Sequence, residues 1–292
     1  MDLEIKFHDK IKEYFEIVFE FLVNREAENI LLFSILNAIK INPSRYGEDK
    51  PILITVTDTE EIKLVALRTP PYNLVISYTD TLDSITSLTK ELIKKKIELP
   101  GVLGFKAGVE RFAKLWCNRK NLHLSLIRNE RVYKLQKVAK ETLGNKKFVV
   151  GDKSNLKIIL KWAEEFMLEA LPELDEAHIK RTQKVIIEEI KKDKIFLLID
   201  EGEVVSMARK AGKTPNGNLV NLVYTPSHLR KRGYATECVA KLSLKILEEG
   251  NSFCFLFTDL MNPTSNSIYQ KIGYRPVIDV DAYKFYQNSL DR

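Results

Sequence analysis

A chain of 292 residues is long for a single hydrophobic core, so two domains are expected. With 45% hydrophobic and 29% charged residues it has a globular composition, no apolar run approaches the ~20 residues of a membrane span, and the first residues lack a signal-peptide core. Cys117, Cys238 and Cys254 are odd in number and widely spaced, which favours reduced thiols in a cytoplasmic protein over a disulfide framework or a zinc site.

The first half is predicted to begin with two amphipathic helices, because apolar residues recur at i, i+3 and i+4 spacing over residues 11–22 and 30–38. The further predicted elements are strands at 51–57, 62–68 and 73–77, a helix at 83–97, a short strand at 102–105 that leads into a glycine-bearing turn (Gly101, Gly104, Gly108), a helix around Trp116, and two closing strands at 122–127 and 131–138.

Residues 140–147 are polar and contain Gly144, so they are the predicted linker between a domain at 1–143 and a domain at 144–292. In the second half the predicted order is β-α-α-β-β-β-α-β-α-β. Its strands are expected at 148–150, 195–200, 204–210, 219–225, 253–258 and 281–286, and its helices at 156–170, 173–192, 235–249 and 263–271.

The stretch 221–236 carries the strongest local signal. An apolar strand stops at Pro226, and Arg230-x-x-Gly233-x-Ala235 then opens a helical pattern. A turn of small residues at a helix N-terminus aims several backbone N–H groups and the positive end of the helix dipole at one point. With basic residues beside it, this turn is predicted to bind an anion, and the pyrophosphate of a nucleotide-like cofactor fits best.

A second segment follows about 30 residues later. Asn262 opens a short helix, Tyr269 lies seven residues on, and the helix ends at Gly273 beside an aromatic residue. Asn262 is first of all a helix cap. Seven residues make about two helical turns, so Asn262 and Tyr269 share a face and can address one extended ligand.

Together these two segments resemble the cofactor-binding motifs of the GNAT superfamily of N-acetyltransferases, over residues 145–292. The resemblance implies a two-domain α/β (α+β) protein whose mixed central sheet is flanked by helices, with acetyl-CoA as co-substrate and no metal. The residues it assigns to cofactor binding are Leu222, Val223, Thr225, Arg230, Lys231, Arg232, Gly233, Tyr234, Ala235, Thr236, Asn262 and Ser265.

In this family an amine attacks the acetyl thioester directly. The resemblance implies that an N–H near Val223 polarises the thioester carbonyl and makes Tyr269 the candidate general acid, with a core tyrosine as the other interpretation of Tyr269. Arg230 is either a phosphate ligand or a surface arginine. No general base is evident, because the fourth strand offers Asn218 and Asn221 where a carboxylate is usual, and Asp259 is the nearest acid.

The element order of residues 1–143 echoes that of the second half, which suggests a degenerate GNAT-like copy; an unrelated α/β domain is the alternative. The segment Gly104-Phe105-Lys106-Ala107-Gly108 lacks the Arg or Gln of the signature, so this half is expected to bind no coenzyme A. It is expected to shape the acceptor site or a dimer contact.

The function expected from the resemblance is transfer of an acetyl group from acetyl-CoA to a small-molecule or peptide amine. The alternative is a non-catalytic acyl-CoA-binding sensor or interaction protein with the same fold. A net charge of +6 fits an anionic cofactor, and the lysine run 94–96 has no aromatic-basic pattern around it, so no nucleic-acid partner is expected, nor a membrane. A homodimer is compatible with the sequence.

Overall fold

One element order, β-α-α-β-β-β-α-β-α-β, occurs twice in the chain. It is seen in a computed structural model that describes residues 3–170 and 176–287. The first repeat consists of β1 (Leu3–His8), α1 (Ile11–Val23), α2 (Ile30–Ile41), β2 (Ile52–Asp58), β3 (Glu61–Arg68), β4 (Leu74–Ile76), α3 (Leu82–Lys94), β5 (Gly101–Phe105), α4 (Lys106–Lys120) and β6 (His123–Leu135).

The second repeat consists of β7 (Lys147–Val150), α5 (Leu156–Ala170), α6 (Glu176–Ile190), β8 (Ile195–Asp200), β9 (Glu203–Lys213), β10 (Gly217–Tyr224), α7 (Tyr234–Glu248), β11 (Phe253–Asp259), α8 (Pro263–Ile272) and β12 (Arg275–Tyr286). This is the order predicted for the second half. Residues 173–175, the predicted start of its second helix, lie outside the described residues.

The chain divides into two compact units, and neither is one continuous stretch of sequence. The first unit takes the described residues of Met1–Val132, Thr258–Met261 and Pro276–Arg292, and the second takes Tyr133–Phe257 and Asn262–Arg275. From Pro276 onward, the last strand of the second repeat therefore belongs to the first unit. The last strand of the first repeat ends in the second unit.

In the first unit the strand order is β1-β2-β3-β4-β5-β12-β6, in which β6 belongs to the unit as far as Val132. From β1 to β12 all neighbours pair antiparallel except β4 and β5, which are parallel. Successive residues of β3 alternate between two cores, as the period of two in a strand requires. Leu64 and Ala66 pack with α3 and α4, while Val65 and Leu67 pack with α1 and α2.

In the second unit β7, β8, β9 and β10 form an antiparallel meander, and β11 pairs parallel to β10. One face of this sheet buries residues of α5 and α6, among them Ile159 and Ile186. The other face buries residues of α7 and α8, among them Leu242 and Ile272. The layers expected from the sequence, a mixed sheet with helices on both faces, are present in each unit.

Three details of the first repeat differ from the sequence prediction. The sequence prediction has no element at β1, although Leu3, Ile5 and Phe7 alternate with polar residues as in a half-buried strand. The two closing strands form a single strand, β6, in which Asn129 donates to Asp281 at 2.6 Å and Arg131 pairs with Asp279 at 2.6 Å, so the expected turn at Asn129 does not form. The glycine-bearing turn does not form either, since β5 leads directly into α4.

None of the helices in the described part of the chain has the length and apolar character needed to cross a bilayer.

The segment that precedes β7 is held against α7 by hydrogen bonds and an ion pair of Glu237. Glu237 is buried in the first turn of α7, accepts a hydrogen bond from the Lys146 backbone N–H at 2.7 Å and pairs with Lys241 at 3.0 Å. Gly144 has a left-handed φ of 51°, and a Cβ added there would overlap the Glu237 carboxylate. Glycine is therefore required at 144 for both backbone and steric reasons.

We expect Gly144→Ala to lower the free energy of unfolding by roughly 2–3 kcal/mol, because it adds an overlap with a pinned carboxylate to the cost of a left-handed non-glycine residue. Gly202→Ala is the matched control, since Gly202 has a φ of 88° but open space around its Cα. It should cost about 1–2 kcal/mol. Urea denaturation followed by circular dichroism measures both, and equal losses would contradict the clash.

Candidate functional site

A β-bulge interrupts β10 immediately before the strand ends. Leu222 has a left-handed φ of 48°, and the antiparallel register with β9 shifts between Asn221 and Tyr224. The side chains record the shift, because Val220 and Leu222 would share a face in a regular strand but pack in opposite cores. A leucine in this conformation costs about 1–2 kcal/mol, so the rest of the structure imposes it.

The bulge removes backbone groups from the sheet. Within the described residues, neither Leu222 nor Val223 has a partner in the register of β10 with β9. The parallel register with β11 covers only Gly217 to Leu219. Beyond Leu219 the described backbone of β10 has no register partner in β11, so groups of this segment that point to the β11 side are accessible to a ligand.

The turn that joins β10 to α7 (residues 225–233, the β10–α7 turn) is anchored at both ends. At its start the Thr225 hydroxyl lies 2.9 Å from the hydroxyl of Ser206, which also donates to the Tyr224 carbonyl at 3.1 Å. At its end the Tyr234 hydroxyl donates to Asp200 at 2.7 Å, and this hydrogen bond, followed by burial, raises the pKa of Tyr234. Tyr234 is therefore an anchor of the turn through its side chain.

The helix that follows the turn begins without a side-chain cap. Gly233 is the N-cap with a φ of 83°, and the first intrahelical bond runs from the Glu237 N–H to the Gly233 carbonyl at 3.0 Å. The N–H groups of Tyr234, Ala235 and Thr236 therefore have no acceptor within the helix. No atom lies within 4 Å of the position where a Gly233 side chain would begin. This helix start is open to an anion.

Two basic residues of the turn are free to contribute charge to it. Lys231 and Arg232 are both exposed, and within the described residues neither has an ion-pair partner, while Arg232 shares a side-chain hydrogen bond with the Tyr234 hydroxyl. Lys231 has a left-handed φ of 64°, so the turn bends at Lys231 and again at Gly233. Uncapped amides and two unpaired cations make this the part of the second unit best suited to phosphate groups.

Arg230 has a different arrangement from its neighbours. Its Nε donates to the Thr225 carbonyl at 2.9 Å, and another guanidinium nitrogen lies 2.6 Å from Glu169 at the C-terminal end of α5. The guanidinium is also 5.7 Å from the ring centre of Tyr224. The sequence does not suggest the contact with Glu169, because 61 residues separate the two side chains.

The second predicted segment forms α8. Asn262 is its N-cap, and the Asn262 side chain accepts a hydrogen bond from the Ser265 N–H at 3.0 Å. Asn262 is exposed and Ser265 is half-buried. Capping of α8 is thus a structural role that is sufficient to explain both residues. It does not test their predicted contact with a cofactor.

Tyr269 is buried, at 8% exposure, between the rings of Tyr133 and Tyr274. Among the described residues its hydroxyl has no hydrogen-bond partner, whereas the Tyr274 hydroxyl lies 2.8 Å from that of Ser243. Burial raises the pKa of Tyr269 to about 12. The phenol therefore keeps its proton throughout the physiological pH range.

The remaining polar groups of interest lie as follows. Asn221 accepts a hydrogen bond from Arg209 at 2.9 Å, and Asn218 donates to Asn251 at 2.7 Å, so both amides serve the structure. Asp259 is exposed and accepts from the Met261 N–H at 2.7 Å. Among the described residues, no group of three or more His, Cys, Asp or Glu side chains could hold a metal ion.

The three cysteines are poor nucleophiles. Burial raises the pKa of Cys117 to about 11 and those of Cys238 and Cys254 to about 12. At neutral pH each stays a neutral thiol, and the thiolate is the reactive form.

The first unit has the equivalent of the β10–α7 turn between β4 and α3, at residues 77–81, and not at Gly104–Gly108 where the sequence suggested it. This segment is shorter than the β10–α7 turn, and its side chains bond to one another and to Arg25. Asp80 lies next to the N-cap of α3, where it accepts from Tyr78 at 2.6 Å and from Arg25 at 3.0 Å. The Thr79 hydroxyl accepts from the Thr81 N–H at 3.1 Å. The first repeat thus places a carboxylate beside this helix start, although α3 begins without a side-chain cap hydrogen bond.

Comparisons with known proteins bear on this geometry. The FR47-like protein family model matches residues 198–283, from β8 to β12. Among solved structures, an acetyltransferase of the GNAT family from Colwellia psychrerythraea has a TM-score of 0.59 at 12% identity, covering 97% of this chain and 100% of its own. A Drosophila protein has a TM-score of 0.67 at 12% identity, covering 98% and 99%.

A tandem GNAT protein from the clavulanic acid biosynthesis pathway has a TM-score of 0.56 at 9% identity and covers 98% of each chain. The chain has the GNAT fold. Since these neighbours span nearly its whole length and both repeats share one element order, the GNAT fold accounts for the first half as well as the second. No protein with curated annotation matches the sequence.

The cap at the start of α8 can be tested by itself. We expect Asn262→Ala to lower the free energy of unfolding by roughly 1 kcal/mol, because the Ser265 N–H loses its acceptor. Asn262→Ser keeps a capping oxygen and should retain most of that stability. Thermal denaturation of the three proteins measures the effect, and a serine variant as unstable as the alanine variant would exclude a capping role.

Proposed function

We propose that this chain is an acetyl-CoA-dependent N-acetyltransferase that acts by direct attack of an amine on the thioester. The observation that carries the proposal is the order of three features along one stretch of the GNAT fold. The Leu222 bulge takes Val223 out of register with β9, the β10–α7 turn follows at once, and the start of α7, which has no side-chain cap, follows that.

The residues present fit coenzyme A. Its pyrophosphate needs several N–H donors at one point, and the N–H groups of Tyr234, Ala235 and Thr236 meet that need. The open space at Gly233 lets the ligand approach the backbone. The charges of Lys231 and Arg232 complement the phosphates.

When bound, acetyl-CoA would supply the activated acetyl group as a thioester. The Val223 N–H would donate a hydrogen bond to the acetyl carbonyl oxygen, where negative charge develops as the amine attacks. A fixed donor of this kind contributes roughly 2.7–4 kcal/mol to transition-state stabilisation. The bulge holds the donor in place before the substrate arrives, so no reorganisation is needed during the reaction.

We assign the acid role to Tyr269. Its hydroxyl has no partner within the described residues and its proton is held by a pKa of about 12, so it would donate a hydrogen bond to the departing sulfur. A free thiol has a reference pKa of about 8.5, so complete transfer from this phenol is uphill and hydrogen-bond donation is the expected contribution. The buried, neutral cysteines favour direct attack over an acyl-enzyme.

The acceptor is proposed to be a small-molecule or peptide amine that arrives neutral and passes its proton to water. This follows from the fourth strand, where Asn218 and Asn221 replace an acidic base. The buried free thiols fit a reducing, cytoplasmic setting.

The second candidate function is an acyl-CoA sensor without turnover, which the absence of a carboxylate from the fourth strand favours. Release of free thiol from acetyl-CoA over a panel of amines separates the two functions. Turnover with any amine supports the enzyme, whereas binding without turnover supports the sensor. Failure to bind acetyl-CoA in calorimetry would contradict both functions.

Replacement of Gly233 by glutamate tests the pyrophosphate site. The carboxylate would project into the open space at the helix start, and we expect the affinity for acetyl-CoA to fall at least about tenfold through like-charge repulsion. Gly250→Glu is the matched control, because Gly250 lies beyond the other end of α7 with a φ of 90° and open space. Calorimetry should find unchanged affinity there; equal losses in both variants would refute the site.

Tyr269→Phe should lower kcat roughly 10- to 100-fold, the loss of one hydrogen bond to a developing charge, while leaving the affinity for acetyl-CoA unchanged. In the wild type, kcat should not decline as the pH rises from 7 to 10, because the phenol loses its proton only near its pKa of about 12. Tyr274→Phe is the control, since it removes a neighbouring buried hydroxyl. If the Tyr269→Phe variant has the kcat of the wild type, Tyr269 is a core residue without a role as the acid.

A further inference from the structure

The guanidinium of Arg230 is bound on three sides by the protein itself. Its Nε donates to the Thr225 carbonyl at 2.9 Å, Glu169 accepts from a terminal nitrogen at 2.6 Å, and the Tyr224 ring lies against it at 5.7 Å. The second oxygen of Glu169 accepts a hydrogen bond from the Tyr224 hydroxyl at 3.3 Å. The Tyr224 hydroxyl also hydrogen-bonds Glu165, which lies one turn earlier on α5. Arg230, Glu169 and Tyr224 are thus linked to one another, and the three are here called the Arg230 brace.

This set fixes the geometry of the β10–α7 turn. Thr225 and Arg230 are the two ends of its first half, and the bond from Arg230 Nε to the Thr225 carbonyl closes that half into a loop. Glu169 then ties the loop to α5. Downstream of it the backbone takes the left-handed conformation at Lys231 and at Gly233, so the direction of the following N–H groups depends on where Arg230 is held.

The electrostatics divide the three basic residues of the turn into two kinds. The Arg230 charge is balanced by Glu169, so its net attraction for a phosphate is small. Lys231 and Arg232 have no ion-pair partner among the described residues, so their charges are available. A charge that attracts phosphate and a charge that holds the turn together have different experimental signatures, because removing the first lowers the salt dependence of phosphate binding more than removing the second. The Arg230–Glu169 pair, whose side chains are 42% and 50% exposed, is itself partly screened by salt.

We propose that Glu169 is a positioning residue for the coenzyme A site, acting through Arg230. The Arg230 brace preorganises the turn so that its amides converge on the pyrophosphate, and the attraction for phosphate comes from Lys231 and Arg232. This inference rests on the proposed function. Preorganisation raises affinity by removing the entropic cost of ordering the turn when the ligand binds.

The test measures acetyl-CoA binding by calorimetry at several salt concentrations, in the full-length protein and in single variants. Glu169→Gln and Arg230→Gln should each weaken binding roughly 3- to 10-fold with the salt dependence of the wild type. Arg230→Lys should weaken binding equally, since an ammonium does not reach both partners in the same geometry. The double variant Glu169→Gln/Arg230→Gln should be no weaker than either single variant.

Lys231→Gln should behave differently, with a reduced salt dependence of binding. Glu164→Gln is the control on α5, because Glu164 is exposed on the same helix and bonds Gln183 instead. It should leave binding unchanged. If the chain turns over, Glu169→Gln should raise KM for acetyl-CoA and leave kcat at saturation unchanged, whereas a damaged fold would lower kcat and the thermal midpoint.

Other results would overturn the positioning role of Glu169. Wild-type affinity in Glu169→Gln, or tighter binding because the Arg230 charge is released, overturns the positioning role. A reduced salt dependence in Arg230→Gln, or full affinity in Arg230→Lys, makes Arg230 a phosphate ligand. If the wild type itself fails to bind acetyl-CoA, the proposed function falls first and this inference with it; wild-type binding without any effect of Glu169→Gln refutes this inference alone.

Discussion

A single left-handed leucine determines what the second unit offers to a ligand. In a regular strand every N–H and C=O of β10 would be used by its neighbours, and the strand would have nothing to donate. Leu222 breaks that pattern, so its side chain and that of Val220, two residues earlier, fall in opposite cores, and Leu222 and Val223 have no register partner in β9. Hydrophobic packing on both faces holds the strained residue in place. The position of the β10–α7 turn, and of the helix start behind it, follows from where this strand stops pairing.

The two repeats differ in the turn that precedes the helix after their fourth strand. Both have a strand, a turn and a helix in the equivalent place. In the first unit the turn is five residues long and Asp80 supplies a carboxylate near the start of α3, paired with Arg25 and Tyr78. In the second unit the turn is longer, it ends in glycine, and its acidic partner Glu169 comes from a different helix and neutralises only Arg230. One helix start therefore has a carboxylate immediately before its N-cap, whereas the carboxylate in the first turn of the other, Glu237, is bound to Lys146 and Lys241.

Much of the architecture could be predicted from local pattern. Helices with a clear apolar stripe, such as α5 and α7, and strands bounded by turn residues, such as β8 and β9, are where the periodicity puts them, because burial on one face enforces that period. Errors arose where local signals compete with long-range pairing. The expected turn at Asn129 yields to side-chain bonds with Asp281 and Asp279, which are about 150 positions away. Strand β1 has the alternation of a half-buried strand at Leu3, Ile5 and Phe7, and this six-residue segment becomes a strand by pairing with β2.

By itself, the sequence determined the element order of the second half, the glycine-bearing turn before α7, and the cap that starts α8. These depend on residues close together in the chain, whose backbone preferences act locally. Tertiary structure decided the rest: that Leu222 is left-handed, that Arg230 is committed to Glu169, that Tyr269 is buried with a raised pKa, and that β12 completes the first unit. Each of these depends on groups that meet only after folding, since burial, desolvation and strand exchange are properties of the packed molecule and are not carried by any short segment.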